Sequence, residues 1–251
     1  MSEVAIVRPA IIAGMTAWMV LLSAHAGEPG KHLFILSGQS NMGGMDPDVS
    51  FAPAVAAKLG KGRVIIVKDA HGGQSIRSWC RTNHEFPPPT TGRVPKKRGE
   101  LYDHLIDKVK QVIDGETIET ATFVWMQGES DLNNTAYDAY LGELLEQLQR
   151  DLQRRDIHLV IGRISDCGLA PADKRVAGRH AIRKTQVAFA ESWPRGAWVD
   201  TDDLNDREEG DKKIDDLHYT AEGYKLLGER FAAAALSLLD PDGARGQERP
   251  E

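Results

Sequence analysis

Residues 32–37 of the chain read HLFILS, and residues 38–43 read GQSNMG. The first run is short, apolar and continuous, which is typical of a strand buried on both faces of a parallel sheet. The second run contains two glycines and a serine, which is typical of a tight turn from a strand into a helix. Because ligands lie at the carboxyl ends of strands in open parallel sheets, functional residues are expected first in this turn.

Similar apolar runs recur along the chain, and segments with helical periodicity separate them. The predicted strands are residues 32–37, 63–68, 120–126, 157–161 and 196–199. The predicted helices are residues 52–59, 101–113, 136–155, 175–191 and 221–239, the last with Thr220 as its N-cap. Strands that alternate with helices predict βαβ units, so we expect one three-layer α/β domain with a five-stranded parallel sheet.

The composition is that of a globular protein and excludes several classes of function. Hydrophobic residues make up 41% of the 251 residues and charged residues 27%, which excludes a disordered or a multi-span membrane protein. Lysine and arginine number 31 against 37 acidic residues, a formal net charge of -6. This balance lacks the basic surface of a nucleic-acid-binding protein, so no nucleic acid is expected as a partner.

The N-terminal residues have the pattern of a secretory signal peptide. Arg8 precedes an apolar stretch, and small residues follow up to Ala26. A membrane anchor or a buried first helix is the alternative, but the apolar stretch is shorter than the roughly 20 residues that a spanning helix needs. We therefore expect cleavage after Ala26, a secreted or periplasmic domain over residues 27–239 without a membrane span, and a disordered tail over residues 240–251.

The sequence gives no pattern for a metal or another cofactor. The two cysteines, Cys80 and Cys167, are compatible with one disulfide bond in an oxidising compartment or with two free thiols. No C-x-x-C or paired cysteine and histidine spacing suggests zinc. The acidic stretch of residues 201–216 is not an EF-hand loop, because Leu204 and Arg207 occupy positions that calcium ligands would need.

One long irregular segment, residues 81–99, is rich in proline and basic residues. A loop of this length within a compact domain is either a solvated insertion or a wall of the substrate site. The basic residues 93–98 also suggest the hypothesis that the substrate is anionic.

Three predicted strands end in polar groups that suit acyl transfer. Ser40 in the first turn is either an N-cap or a nucleophile, although the G-x-S-x-G pattern of α/β-hydrolases is absent. The second strand leads to the pair Gly72 and Gly73, whose backbone can approach a ligand closely and offer an N–H group to an oxyanion. The third strand leads to Gln127, whose side-chain amide is a further donor or organises the loop, and to Glu129.

An acid three residues before a histidine precedes the last predicted helix. Asp215 can accept the Nδ1 proton of His218, which leaves Nε2 as a base toward a serine. No other histidine after residue 26 has this spacing beside a helix start, so His218 is the preferred base. Asp216 is a rival for the role of the acid.

Together, four ordered blocks resemble the SGNH hydrolase superfamily. The blocks are GQSNM at residues 38–42, GGxxIRxW at residues 72–79, QGESD at residues 127–131 and DxxH at residues 215–218. Within the superfamily the chain is similar to the carbohydrate acetylesterases, the branch of sialate O-acetylesterase and the family 6 acetylxylan esterases. The resemblance implies a flavodoxin-like α/β/α fold over the whole chain after residue 26.

The resemblance also implies a role for each matching residue. Ser40 would be the nucleophile, His218 the general base and Asp215 the acid that orients it. The oxyanion hole would comprise the backbone N–H groups of Ser40 and Gly73 and the amide of Gln127. Substrate binding or loop support would fall to the remaining motif residues, which are Gln39, Asn41, Arg77, Trp79 and Glu129.

The expected activity is the removal of O-acetyl groups from a carbohydrate, without a cofactor. Two alternatives stay open: an SGNH lipase or thioesterase that acts on other acyl esters, and a carbohydrate-binding protein without catalysis. Arg77 and Trp79 in polar surroundings favour a sugar over an acyl chain, although the tryptophan also suits simple packing.

Overall fold

The computed structural model of the protein describes residues 29–82, 97–169, 173, 175–209 and 212–240, without the side chains of residues 207–209 and 212–215. Five parallel strands form one sheet in the order β2-β1-β3-β4-β5. The strands are β1 Lys31–Gly38, β2 Val64–Ala70, β3 Ile118–Met126, β4 His158–Gly162 and β5 Gly196–Val199. The predicted α/β fold with a five-stranded parallel sheet is confirmed.

Helices cover both faces of the sheet. They are α1 Ser40–Gly44, α2 Phe51–Leu59, α3 Glu100–Ile113, α4 Tyr137–Asp151, α5 Val176–Ser192 and α6 Ala221–Leu239. Along β1, Leu33 and Ile35 pack in one apolar cluster with α3, α4 and α5. Phe34 and Leu36 pack in a second cluster with α1, α2 and α6. Both faces of β1 are therefore buried, which explains its continuous apolar run.

The last helix begins as its sequence predicts. The Thr220 side chain accepts a hydrogen bond of 3.0 Å from the backbone N–H of Gly223, so Thr220 is the N-cap of α6. The predicted helix over residues 136–155, by contrast, ends early, at Asp151. Gln153 adopts a φ of 53°, a left-handed conformation that interrupts the helix, and the Arg154 side chain bonds the backbone oxygen of Ile118 at 2.7 Å.

The acidic stretch before the last helix contains a hairpin that the sequence analysis did not predict. Strands β6 Asp206–Glu209 and β7 Lys212–Asp215 pair antiparallel, with Asp206 opposite Asp215. These strands are short and charged, so they lack the apolar run that identifies a strand in sequence.

The structure shows the state of the two cysteines. The sulfurs of Cys80 and Cys167 are both thiols, and no disulfide joins them. The Cys80 thiol donates to the backbone oxygen of Tyr140 at 3.4 Å, and burial raises its pKa.

The predicted signal peptide and residues 241–251 of the predicted tail lie outside the described residues. Among the helices that are described, none has the length and apolar character needed to span a membrane.

Candidate active site

The turn after β1 lies directly against the end of β3. The backbone N–H of Gln39 donates to the backbone oxygen of Met126 at 2.9 Å. Gly38 has a φ of +145°, and a Cβ built there would lie 2.0 Å from the same oxygen. Only glycine fits this approach, and it brings the chain to Ser40 at the first position of α1.

The buried Gln39 side chain connects this turn to the loop after β3. Its Oε1 accepts hydrogen bonds from the backbone N–H groups of Gly128, at 3.5 Å, and Ser130, at 3.3 Å. Gln39 is 3% exposed, so its amide serves the loop rather than an open surface.

The turn after β2 lies beside Ser40. A Cβ built on Gly72 would lie 3.6 Å from the Ser40 Cβ, which is van der Waals distance. Gly73 has a φ of +68°, and a Cβ built there would meet no atom within 4 Å. The two glycines that the sequence singles out therefore form a turn beside Ser40 that is open above Gly73.

Asp131 holds the loops after β2 and β3 together, a role that the sequence analysis missed. Its carboxylate accepts hydrogen bonds from the Ser75 hydroxyl at 2.7 Å and the Ile76 backbone N–H at 2.8 Å. It also accepts from the side chains of Gln127, at 2.6 Å, and Asn134, at 3.1 Å. Burial raises the pKa of Asp131 despite these bonds. The signal in the sequence was the final residue of the QGESD block.

The Gln127 side chain is part of the same network. Its Nε2 donates to Asp131 and, at 3.1 Å, to the backbone oxygen of Gln74. Both amide hydrogens therefore have partners in the surrounding loops. To donate to an oxyanion, Gln127 would exchange one of these bonds, and its role as an oxyanion donor stays a prediction.

Asn41 connects the residue after Ser40 to the loop that carries His218. Its Nδ2 donates to Glu129 Oε1 at 3.0 Å and to the backbone oxygen of Leu217 at 3.2 Å. Its Oδ1 accepts from the Tyr224 hydroxyl of α6 at 3.1 Å. Leu217 directly precedes His218, so Asn41 fixes the position of the histidine loop relative to Ser40.

Glu129 is a buried carboxyl group close to the histidine. Burial raises its pKa, while the hydrogen bond from Asn41 and the charges of Arg179 and His218 lower it. The bond from Asn41 joins this carboxyl group to the segment that follows Ser40.

Of the two acids before His218, the structure describes the side chain of Asp216 and not that of Asp215. Asp216 Oδ1 accepts from the backbone N–H of Leu217 at 2.7 Å, so this carboxylate stabilises the loop. Asp215 is the last residue of β7, and its side chain lies outside the described part of the structure. His218 itself is exposed. The roles predicted for Asp215 and His218 stay predictions.

Arg77 and Trp79 are buried rather than presented on an open surface. Trp79 is fully buried, with its ring edge-on to Trp125 at 5.1 Å between ring centroids, so packing explains this side chain. Arg77 is 8% exposed, and its Nε and Nη1 have no hydrogen-bond partner among the residues described.

Only the two ends of the long basic loop are described. Lys97 Nζ lies 3.3 Å from Asp103 Oδ2, and Arg98 Nη1 donates to the backbone oxygen of Thr82 at 2.9 Å. Residues 83–96 of the loop lie outside the described residues, so the hypothesis of an anionic glycan stays a prediction.

Solved structures with this fold come from several organisms. A protein from Arabidopsis thaliana is 21% identical, with a TM-score of 0.60 over 83% of this chain and 99% of its own. A carbohydrate acetylesterase from Xanthomonas citri is 18% identical, with a TM-score of 0.55 over 78% of this chain and 40% of its own. NanS is 13% identical, with a TM-score of 0.58 over 85% of this chain and 99% of its own. At these identities the similarity establishes the fold.

A family comparison gives the more specific result. No curated protein sequence matches the chain significantly. The profile described as "carbohydrate esterase, sialic acid-specific acetylesterase" matches residues 43–237, which is most of the chain, although the match begins after Ser40. The match includes the loops that carry Gly73, Gln127 and His218. The chain therefore belongs to this family of carbohydrate esterases and is a carboxylic-ester hydrolase that removes O-acetyl groups from carbohydrates.

Proposed function

We propose that this deacetylation proceeds through an acetyl-enzyme on Ser40, with His218 as general base and Asp215 as the acid that orients its ring. The observation that carries the proposal is the meeting of three distant segments at Ser40. A Cβ built on Gly72 would lie 3.6 Å from the Ser40 Cβ, and Asn41 Nδ2 donates to the backbone oxygen of Leu217 at 3.2 Å. A serine, a turn of two glycines and a histidine loop in one place are the parts that acyl transfer needs.

The reaction would consist of two acyl transfers. Ser40 Oγ forms a bond to the acetyl carbonyl carbon while its proton passes to His218 Nε2. The bond from that carbon to the sugar oxygen then breaks, and the same proton passes to the departing alcohol. Water, deprotonated by His218, attacks the acetyl-enzyme, and acetate leaves as Ser40 Oγ takes the proton back.

The negative oxygen of each tetrahedral intermediate would lie above the glycine turn. The backbone N–H groups of Ser40 and Gly73 would donate to it, with the Gln127 amide as the third donor. The open space above Gly73 supports this placement. Loss of one such donor costs on the order of 10²-fold in kcat or more, which is the effect we expect for Gln127→Ala.

Acetate release from a panel of acetylated polysaccharides and acetylated sialic acids tests the proposal. We expect release by the wild-type chain and by Ser237→Ala, which changes an exposed serine on α6, and essentially none by Ser40→Ala. Near-normal release by Ser40→Ala would refute the mechanism. Comparing acetyl and octanoyl esters of one chromogenic alcohol tests the lipase alternative, which predicts the faster rate on octanoate.

We also propose that the enzyme is exported and acts in the periplasm or outside the cell. The apolar stretch after Arg8 and the small residues up to Ala26 support export. N-terminal sequencing of the protein recovered from the periplasm or medium tests this, with Gly27 as the expected first residue. An intact Met1 or Ser2 on a cytoplasmic product would contradict it.

A further inference from the structure

A cluster of two histidines and one aspartate lies at the end of β2, on residues to which the mechanism gives no role. His71 Nε2 lies 3.0 Å from Asp69 Oδ2. His104, which lies on α3, places its Nδ1 3.1 Å from the same oxygen. Both rings thus direct a nitrogen at one carboxylate oxygen, and the three ligand atoms all lie within 4.8 Å of one another.

These separations are close to those in a metal coordination shell. Zinc binds imidazole nitrogen and carboxylate oxygen at about 2.0–2.2 Å, so neighbouring ligand atoms in its shell lie about 3–3.5 Å apart. The two oxygen-to-nitrogen distances at Asp69 already fall in this range. The two ring nitrogens lie within 4.8 Å of each other, and rotation of the partly exposed rings can bring them to a coordination distance.

The surroundings hold the carboxylate in place and leave access for an ion. Lys108 Nζ contacts Asp69 Oδ1 at 2.5 Å, on the oxygen that the histidines do not use. Ligating carboxylates are commonly held by such an outer hydrogen bond. The Asp69 side chain is 4% exposed, whereas those of His71 and His104 are 33% and 56% exposed, so both rings are accessible to an ion from solvent.

We propose that Asp69, His71 and His104 form a binding site for a divalent transition-metal ion such as Zn²⁺. Two imidazoles and one carboxylate are ligands that zinc, nickel and copper accept, and magnesium and calcium prefer oxygen alone. The sequence does not show the site, because His104 lies 35 residues after Asp69 and reaches it only through the packing of α3 on β2.

Metal binding would change which ring nitrogen of each histidine carries a proton. Each nitrogen that now faces Asp69 Oδ2 must offer a lone pair to the metal, so its proton moves to the other ring nitrogen or to solvent. The ion would then connect the end of β2 to α3, directly before the Gly72 turn. The site does not depend on the esterase mechanism, since none of its ligands is placed in the reaction.

The test is titration of the purified full chain, freed of any polyhistidine tag, with ZnCl₂ by calorimetry. His104→Gln and His71→Gln each remove one ligand at a partly exposed position, so the variants are expected to fold. His180→Gln changes an exposed histidine on α5, outside the cluster, and Cys167→Ser removes a partly exposed thiol as another ligand. Titration with Co²⁺, followed by visible absorption, gives a second readout of nitrogen and oxygen ligation.

We expect one Zn²⁺ per wild-type chain, unchanged in His180→Gln and Cys167→Ser. In His71→Gln and His104→Gln the Kd should rise at least about 10-fold, since even outer partners of a metal site typically change affinity by 10- to 100-fold. The melting temperature without metal serves as the folding check. Wild-type affinity in both ligand variants, or no saturable site in the wild-type chain, would overturn the proposal and leave the cluster as a hydrogen-bonded ion network.

Discussion

The Ser75 hydroxyl donates a hydrogen bond of 2.7 Å to Asp131 Oδ1, and this bond joins the turn after β2 to the loop after β3. The same carboxylate accepts from the backbone N–H of Ile76 and from Gln127. The segment that begins with Gly72 is thus held in place from β3, a strand that does not neighbour β2 in the sheet. Asp131 is a positioning residue for the open turn beside Ser40.

Asp131→Asn should destabilise the protein, although asparagine has nearly the same size and shape as aspartate. One acceptor oxygen becomes an N–H donor that faces other donors, and a buried polar group left without a partner costs about 1–3 kcal/mol. The free energy of unfolding, measured in urea, is the readout. Asp107→Asn, at an exposed position of α3, is the control and should lie within about 0.5 kcal/mol of wild type. Equal stability of the two variants would show that the Asp131 network is not required.

Asn41→Ala should lower kcat by roughly 10²-fold with little change in KM, because small displacements of catalytic groups have effects of this size. The variant releases Leu217, and with it the loop of His218, from the segment that carries Ser40. Tyr224→Phe removes only the hydrogen bond to Asn41 Oδ1, so its effect should be smaller. Initial rates on an acetylated substrate measure both. An unchanged kcat in Asn41→Ala would contradict the positioning role.

Asp215→Asn should reduce kcat by up to roughly 10⁴-fold, the effect expected when a catalytic histidine loses its orienting carboxylate. Asp216→Asn should have a much smaller effect, since Asp216 Oδ1 accepts the backbone N–H of Leu217. The two adjacent variants are controls for each other. A large loss in Glu129→Gln together with a small one in Asp215→Asn would instead assign the orienting role to Glu129.

Glu129→Gln should change how stability depends on pH. Burial raises the folded-state pKa of Glu129 above the usual 4.5, so the folded protein binds the proton more tightly than the unfolded chain. The contribution of this group to stability is therefore full below pH 4.5 and is lost as the pH rises through the folded-state pKa. Urea unfolding across this range should show the wild type losing stability relative to Glu129→Gln as the pH rises.

The exposed Glu100 provides the control for that experiment. Glu100→Gln makes the same substitution at an exposed position at the start of α3 and is measured over the same pH range. A wild type that gains stability relative to Glu129→Gln with rising pH would contradict the raised pKa.

Local sequence patterns predicted the strand β1 and the start of the helix α6. The run at residues 32–37 predicted β1 because both faces of that strand are buried, and Thr220 predicted the start of α6 because an N-cap is a local hydrogen bond. The ends of the predicted strands indicated which turns could share one site, since parallel strands share one carboxyl edge.

Local sequence patterns do not predict contacts between residues that lie far apart in the chain. The role of Asp131 depends on Ser75, 56 residues earlier, and the contact of His104 with Asp69 depends on the packing of α3. The hairpin of β6 and β7 has short, charged strands and no apolar run. The sequence allowed either a substrate contact or simple packing for Trp79. Its complete burial in the folded protein favours packing.

The central claim, an acyl-enzyme on Ser40, is tested most directly by covalent labelling with an organophosphonate ester. Peptide mass spectrometry should find one adduct on Ser40, formed in proportion to the loss of acetate release. Ser40→Ala should take up no label and release acetate at least about 10³-fold more slowly, whereas Ser237→Ala should behave as wild type. Full inactivation with no adduct on Ser40, or near-normal acetate release by Ser40→Ala, would contradict the account.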